Sequence, residues 1–140
     1  MKRVLLLACA VSVAISASLA AQAKPAIASD ADYSTHMKEI GQLNGGLNKA
    51  IQGSNADDAA KMSARLEVLF KDVQSYWEAK KVADAVTAAQ SAVAGAQAVA
   101  KAVAANDMTA AGEARTKMGA ACMSCHQAHR EKTENGFVIK

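Results

Sequence analysis

From Asp30 as far as His129, apolar residues return every three or four positions, a spacing that only helices turn into a continuous seam. The first stretch sets Tyr33, Met37, Ile40, Asn44, Leu47 and Ile51 on one face and predicts a helix from about Asp30 to Gln52. Gly53-Ser54-Asn55 ends it. Asn55 then caps the next helix, with Asp57 and Asp58 placed where a helix N-terminus favours negative charge. The second seam runs through Ala59, Met62, Leu66, Leu69, Val73 and Trp77, and the third through Val82, Val86, Ala89, Val93, Ala96, Ala100 and Val103. Asn106-Asp107 is the next break, with Asp107 as N-cap. The fourth seam takes in Ala111, Ala114, Met118, Cys122, Cys125 and His129, and the helix is expected to end near Lys132. Between Asp72 and Ala85 no strong stop signal stands, so one continuous helix is an alternative to two. Short connections favour an all-α fold, an antiparallel up-down-up-down four-helix bundle, with 133–140 as a loose tail.

The fourth seam carries Cys122-Met123-Ser124-Cys125-His126. C-x-x-C-H is the attachment signature of c-type haem. Two thiols one helical turn apart can add to the two haem vinyl groups, and the histidine that follows can supply an axial nitrogen to iron. A bare C-x-x-C also serves dithiol redox chemistry or half of a zinc site. A zinc site wants further paired ligands, and beyond the motif only His36 and His129 remain. A thioredoxin-like pair wants a helix N-terminus beside strands, whereas this pair lies late in a helical pattern. The expected cofactor is therefore one haem c, covalent through Cys122 and Cys125, near the C-terminal helix.

Met1-Lys2-Arg3 is a basic start, Val4 to Ala21 is apolar or small, and Ala21-Gln22-Ala23 is an A-x-A cleavage site. Residues 1–23 read as a cleaved secretory signal peptide, and 24–140 as a single domain. Cys9 is not a lipoprotein box, because the apolar run before it is short and continues beyond it. Haem attachment needs reduced thiols and haem outside the cytoplasm, so the expected location is the periplasm of a Gram-negative bacterium, with no stable membrane insertion after cleavage. Two of the 16 Lys and Arg residues, Lys2 and Arg3, belong to the leader, so the remainder nearly balances the 13 acidic residues. No basic patch interleaved with aromatics marks a nucleic-acid surface. Aromatics are confined to Tyr33, Phe70, Tyr76, Trp77 and Phe137, and the core is mostly alanine, valine, leucine and methionine. Such a core leaves room for a large flat cofactor. No nucleophile, paired acid or phosphate loop is visible, so the chain does not read as an enzyme.

The stretch from Met118 to Arg130, with its C-x-x-C-H close to the C-terminus, resembles the last helix of class II c-type cytochromes, the cytochrome c′ family. The resemblance implies a four-helix bundle made from an exported precursor. Its specific motif covers about a dozen residues, and its layout covers the chain after the leader. His129 stands where the family usually has an aromatic residue, and the region between the second and third helices is shorter than usual. The first helix of the family faces the far side of the haem, and the resemblance puts Met37 there, as second axial ligand beside His126. From its seam position alone Met37 is also a packing residue. His36, one residue away and rotated by roughly 100°, is the nearest competitor. Met62 and Met118 fit other seams. In the family the arginine matching Arg130 lies close to the axial histidine; at i+4 from His126 it can reach the imidazole or a propionate, or simply offset the helix dipole. Trp77 and Tyr76 are candidates for covering a haem edge or for core.

The leading expectation is a one-electron carrier serving periplasmic redox partner proteins, with iron held by His126 and Met37, as a monomer or homodimer. The alternative is a five-coordinate haem protein binding nitric oxide or carbon monoxide, with Met37 free. A haem-free helical interaction module is the third reading, and the intact motif argues against it.

Overall fold

The computed structural model describes residues 25–134 and 136–140, so the expected leader and its expected cleavage site lie outside the described residues. Four helices follow in order: α1 Asp30–Gln52, α2 Ala56–Lys80, α3 Ala83–Ala104 and α4 Met108–His129. They run alternately up and down and form an all-α four-helix bundle. The breaks have identifiable causes. Ser29 caps α1 by accepting from the Asp32 N–H, Asn55 caps α2 by accepting from Asp58, and Asp107 caps α4 by accepting from Ala110. Lys81 adopts the left-handed conformation, with φ 59°, and separates α2 from α3. The two are distinct helices although a lysine at that position gives no turn signal.

The buried faces of α1 and α2 follow their predicted seams, from Ile40, Leu47 and Ile51 to Leu66, Leu69, Val73 and Trp77. Helix α3 is turned relative to its predicted seam. Its buried side is Ala85, Ala88, Ala89, Ala92, Gly95, Ala96, Val99 and Val103, while Val82, Val86 and Val93 are only partly buried. The small side is the one inserted between α2 and α4, where close helix packing outweighs the burial of larger valines. Gly95 marks the tightest point: a Cβ there would stand 2.7 Å from Met118 Cβ and 3.0 Å from its Cα. Met118 is fully buried against it and is a packing residue. Gly95→Ala is therefore expected to lower the melting temperature, since overpacking costs about 1–3 kcal/mol, more than the ~1 kcal/mol that alanine gains in a helix. Gly45→Ala is the matched control, because a Cβ there meets nothing within 4 Å. It is expected to raise the melting temperature in the same thermal scan.

Helix α4 ends at His129, one turn before the predicted end, and the predicted loose tail is a hairpin. Strand β1, Arg130–Thr133, pairs antiparallel with β2, Gly136–Ile139, in the register Arg130↔Ile139 to Thr133↔Gly136. Gly136, at φ 124°, supplies a conformation that other residues rarely adopt. The Lys140 N–H donates to the His129 carbonyl at 3.1 Å and fixes the hairpin to the end of α4. Ile139 packs on the core. Extended pairing returns the chain to the bundle at Ile139, while Phe137 and Val138 stay largely exposed.

Candidate functional site

Helices α2, α3 and α4 pack extensively in sequence, whereas α1 touches α4 least of the neighbouring pairs. Between α1 and α4 lies a cavity of about 610 Å³, within the size range of cofactor sites. Its floor is Phe70 and Val73 from α2 and Ala88, Ala89 and Ala92 from α3; the three alanines leave it wide. One wall is α4, with Ala121, Cys122, Cys125, His126 and His129. The other is α1, with Tyr33, Met37, Gly41 and Asn44. The hairpin adds Arg130, Phe137, Val138 and Ile139. A smaller hollow of about 390 Å³, lined by Ile27, Tyr76 and Lys80 among others, holds none of the motif's groups.

The periodicity explains this arrangement. Cys122, Cys125 and His129 follow each other at three and four on the inner side of α4, and His126 stands beside Cys125 on the same turn. Met37 lies on the α1 seam, partly buried against the core. All of Cys122, Cys125, His126, Met37 and Arg130 line this one cavity. His36 does not. Its Nδ1 is 3.0 Å from the Asp32 carbonyl and its Nε2 is 3.5 Å from Asp72, so the ring is turned to α2. Trp77 and Tyr76 are buried core residues rather than cavity walls. Trp77 donates from Nε1 to the Tyr33 hydroxyl at 3.1 Å, and Tyr33 is the aromatic of this cluster that reaches the cavity. Tyr33 and Asn44 were legible only as seam residues, and the walls from the hairpin had no helical signal to reveal them.

The electrostatics separate two uses of the thiols. Both cysteines are free. Burial pushes the Cys122 and Cys125 thiols up, with the neighbouring Cys125 adding to the effect at Cys122 and Asp84 at Cys125. A dithiol nucleophile needs the opposite, a lowered thiol beside a helix N-terminus or a cation. Here the pair lies toward the C-terminal end of α4, whose dipole also disfavours a thiolate. Burial holds His126 below the ordinary histidine range, and the Arg130 charge adds to the shift. A neutral imidazole keeps a lone pair for a metal.

The residues fit a haem. Two thiols and an imidazole share one wall, a thioether faces them, and the intervening space is apolar. Asn44 supplies an independent sign. Its Oδ1 is buried without a hydrogen-bond partner, on the cavity wall seven residues from Met37. Such an acceptor calls for a partner from solvent or a ligand. Among the described residues no three His, Cys, Asp or Glu side chains cluster as ligands for a bare metal ion. No protein-family model and no curated protein matches the chain.

Arg130 is exposed, with its guanidinium 4.1 Å from the centroid of the Phe137 ring. With a haem in the cavity, removing this charge would favour the more positive oxidation state of the iron. Arg130→Gln is thus expected to lower the reduction potential modestly, with the difference shrinking as salt is added. Voltammetry of both proteins across ionic strength measures it. Equal potentials at low salt would leave Arg130 as a helix-end charge.

Proposed function

We propose that this chain is a periplasmic c-type cytochrome, resembling the low-spin branch of the class II cytochromes, which carries one electron between redox partner proteins. The observation that carries the reading is the juxtaposition of Cys122, Cys125 and His126 with Met37 across a single apolar cavity. The haem iron, when bound, supplies the ferric–ferrous couple. Each residue then has a defined task. Cys122 and Cys125 anchor the group through thioethers, one turn apart on a rigid helix. His126, kept neutral by burial, would supply an imidazole nitrogen to the metal. Met37 offers a second ligand that brings no charge into an apolar wall, where a carboxylate would be costly. Phe70, Val73 and the alanines of α3 exclude water, which keeps the surroundings the same in both oxidation states. The leader, with its A-x-A site, fits the compartment in which such attachment occurs.

A second reading, a five-coordinate protein binding nitric oxide or carbon monoxide, is favoured by one feature. Gly41 lines the cavity one turn from Met37, and a Cβ there would meet nothing within 4 Å. The distal wall therefore has space beside the thioether. The absorption spectrum of the ferrous protein separates the readings. A sharp low-spin α band supports the carrier, a broad high-spin spectrum supports the gas-binding protein, and the lack of a Soret band rejects both.

A further inference from the structure

The cavity wall contains a titratable pair that electron carriage alone does not employ. His129 lines the cavity and its side chain is only 16% exposed. Its Nε2 stands 2.8 Å from Asp84 Oδ2, which ties the last turn of α4 to the first turn of α3. The imidazole rests on the Trp77 ring, with centroids 5.0 Å apart, and Trp77 is in turn held by Tyr33. The ring is thus oriented from two sides. Because the carboxylate accepts from Nε2–H, the neutral ring keeps its lone pair on Nδ1, and that nitrogen takes the second proton.

We propose that His129, oriented by Asp84, is a redox-linked proton acceptor: Nδ1 binds a proton from solvent when an electron enters the cavity's cofactor and releases it when the electron leaves. The proposal rests on the haem-binding reading. The step balances, since one electron arrives from a redox partner and one proton from water, leaving the net charge of the site unchanged. An added electron in the cavity raises the proton affinity of a base in its wall, an effect that solvent reduces at the open mouth and at Asp84, whose side chain is 68% exposed. His126, three residues back on α4, lines the same cavity and is committed to the metal in the haem-binding reading, and Asp30, from α1, is held below the usual carboxylate range by Tyr76 and Lys80. Asp84, from α3, is held below the usual carboxylate range by its bond to His129 and stays ionised. Tyr33, from α1, is pushed well above the ordinary tyrosine range by burial. Trp77, from α2, carries no charge, and burial raises the phenol of Tyr76 beside it. Cys125, one turn back on α4, is consumed in the thioether. Arg130 and Lys38 also line the cavity and are the basic side chains nearest the pair on its wall.

The sign follows from linkage. The reduced protein binds the proton more tightly, so the potential falls as pH rises between the oxidised-state and reduced-state titrations and is level on either side. A tenfold difference in proton affinity converts to a total fall of about 59 mV. The test is the midpoint potential from about pH 5 to 9, the histidine range with a margin, together with proton release on oxidation followed by an indicator dye in weak buffer. The wild type is expected to show the fall and the release. His129→Phe keeps a ring against Trp77 and is expected to lose both while retaining its haem band and its helical circular dichroism. Asp84→Asn removes the charge that favours the protonated ring, and the falling segment is expected to move to lower pH. A His129→Phe protein with the wild-type fall overturns the proposal. If that variant does not fold, an unmoved segment in Asp84→Asn overturns it instead. A wild type without a haem band defeats the cofactor reading itself, whereas a haem band with an unaltered fall in His129→Phe defeats only the proton linkage.

Discussion

Met37→Leu is expected to convert a low-spin ferrous spectrum into a high-spin one and to open the iron to carbon monoxide. Leucine keeps the bulk and apolarity of methionine, so the α1 wall survives; such swaps usually cost less than about 1.5 kcal/mol. What is lost is the sulfur. The reduction potential is expected to fall with it, because thioether ligation favours ferrous iron. Met37→Ala removes ligand and volume together. Its stability loss lies toward the lower end of the ~2–5 kcal/mol usual for a buried methionine, since Met37 is only partly buried. A low-spin spectrum retained in Met37→Leu means that another side chain holds the sixth position. His36 is poorly placed to do so, because both its ring nitrogens are directed at Asp32 and Asp72.

Replacing Cys122 and Cys125 together with alanine is expected to abolish covalent attachment completely. Each single variant is expected to retain one thioether. The double variant keeps His126 and the cavity walls, so any haem it binds is held by coordination and packing alone and leaves in acid acetone. Its melting temperature is expected to fall below that of the wild type, since a tethered group meets its ligands and walls at a high effective concentration, whereas a dissociable one stabilises only by mass action at its own concentration. A double variant that still carries haem through acid acetone would place the attachment on a different residue.

Much of this fold is written in local chemistry. The bounds of α1 and the caps at Asn55 and Asp107 follow from side chains acting within a turn of themselves, whereas the break between α2 and α3 at Lys81 has no such local signal. Spacing within α4 put Cys122 and Cys125 on one side of that helix and spacing within α1 put Met37 on its seam; that the two helices line one cavity is a tertiary fact. What the sequence concealed depends on neighbours distant along the chain. The buried face of α3 was misjudged because valine outranks alanine in hydrophobicity, while the approach of α4 at Gly95, against Met118, admits only the smallest residue. The hairpin was read as a tail because Phe137, Val138 and Ile139 acquire a strand partner only where α4 ends. Tyr33 and Asn44 stood on the α1 seam like ordinary core residues. Their place on the cavity appears only once α1 is seen to lie away from α4.

The most direct measurement is the intact mass of the denatured protein purified from the periplasm, beside its Cys122→Ala/Cys125→Ala variant. The wild type is expected to weigh the chain from Lys24 plus one haem and to keep its colour in acid acetone, and the variant to weigh the bare chain. A colourless wild type at the apoprotein mass, or one whose haem extracts freely, contradicts the assignment of this cavity to a covalently bound haem.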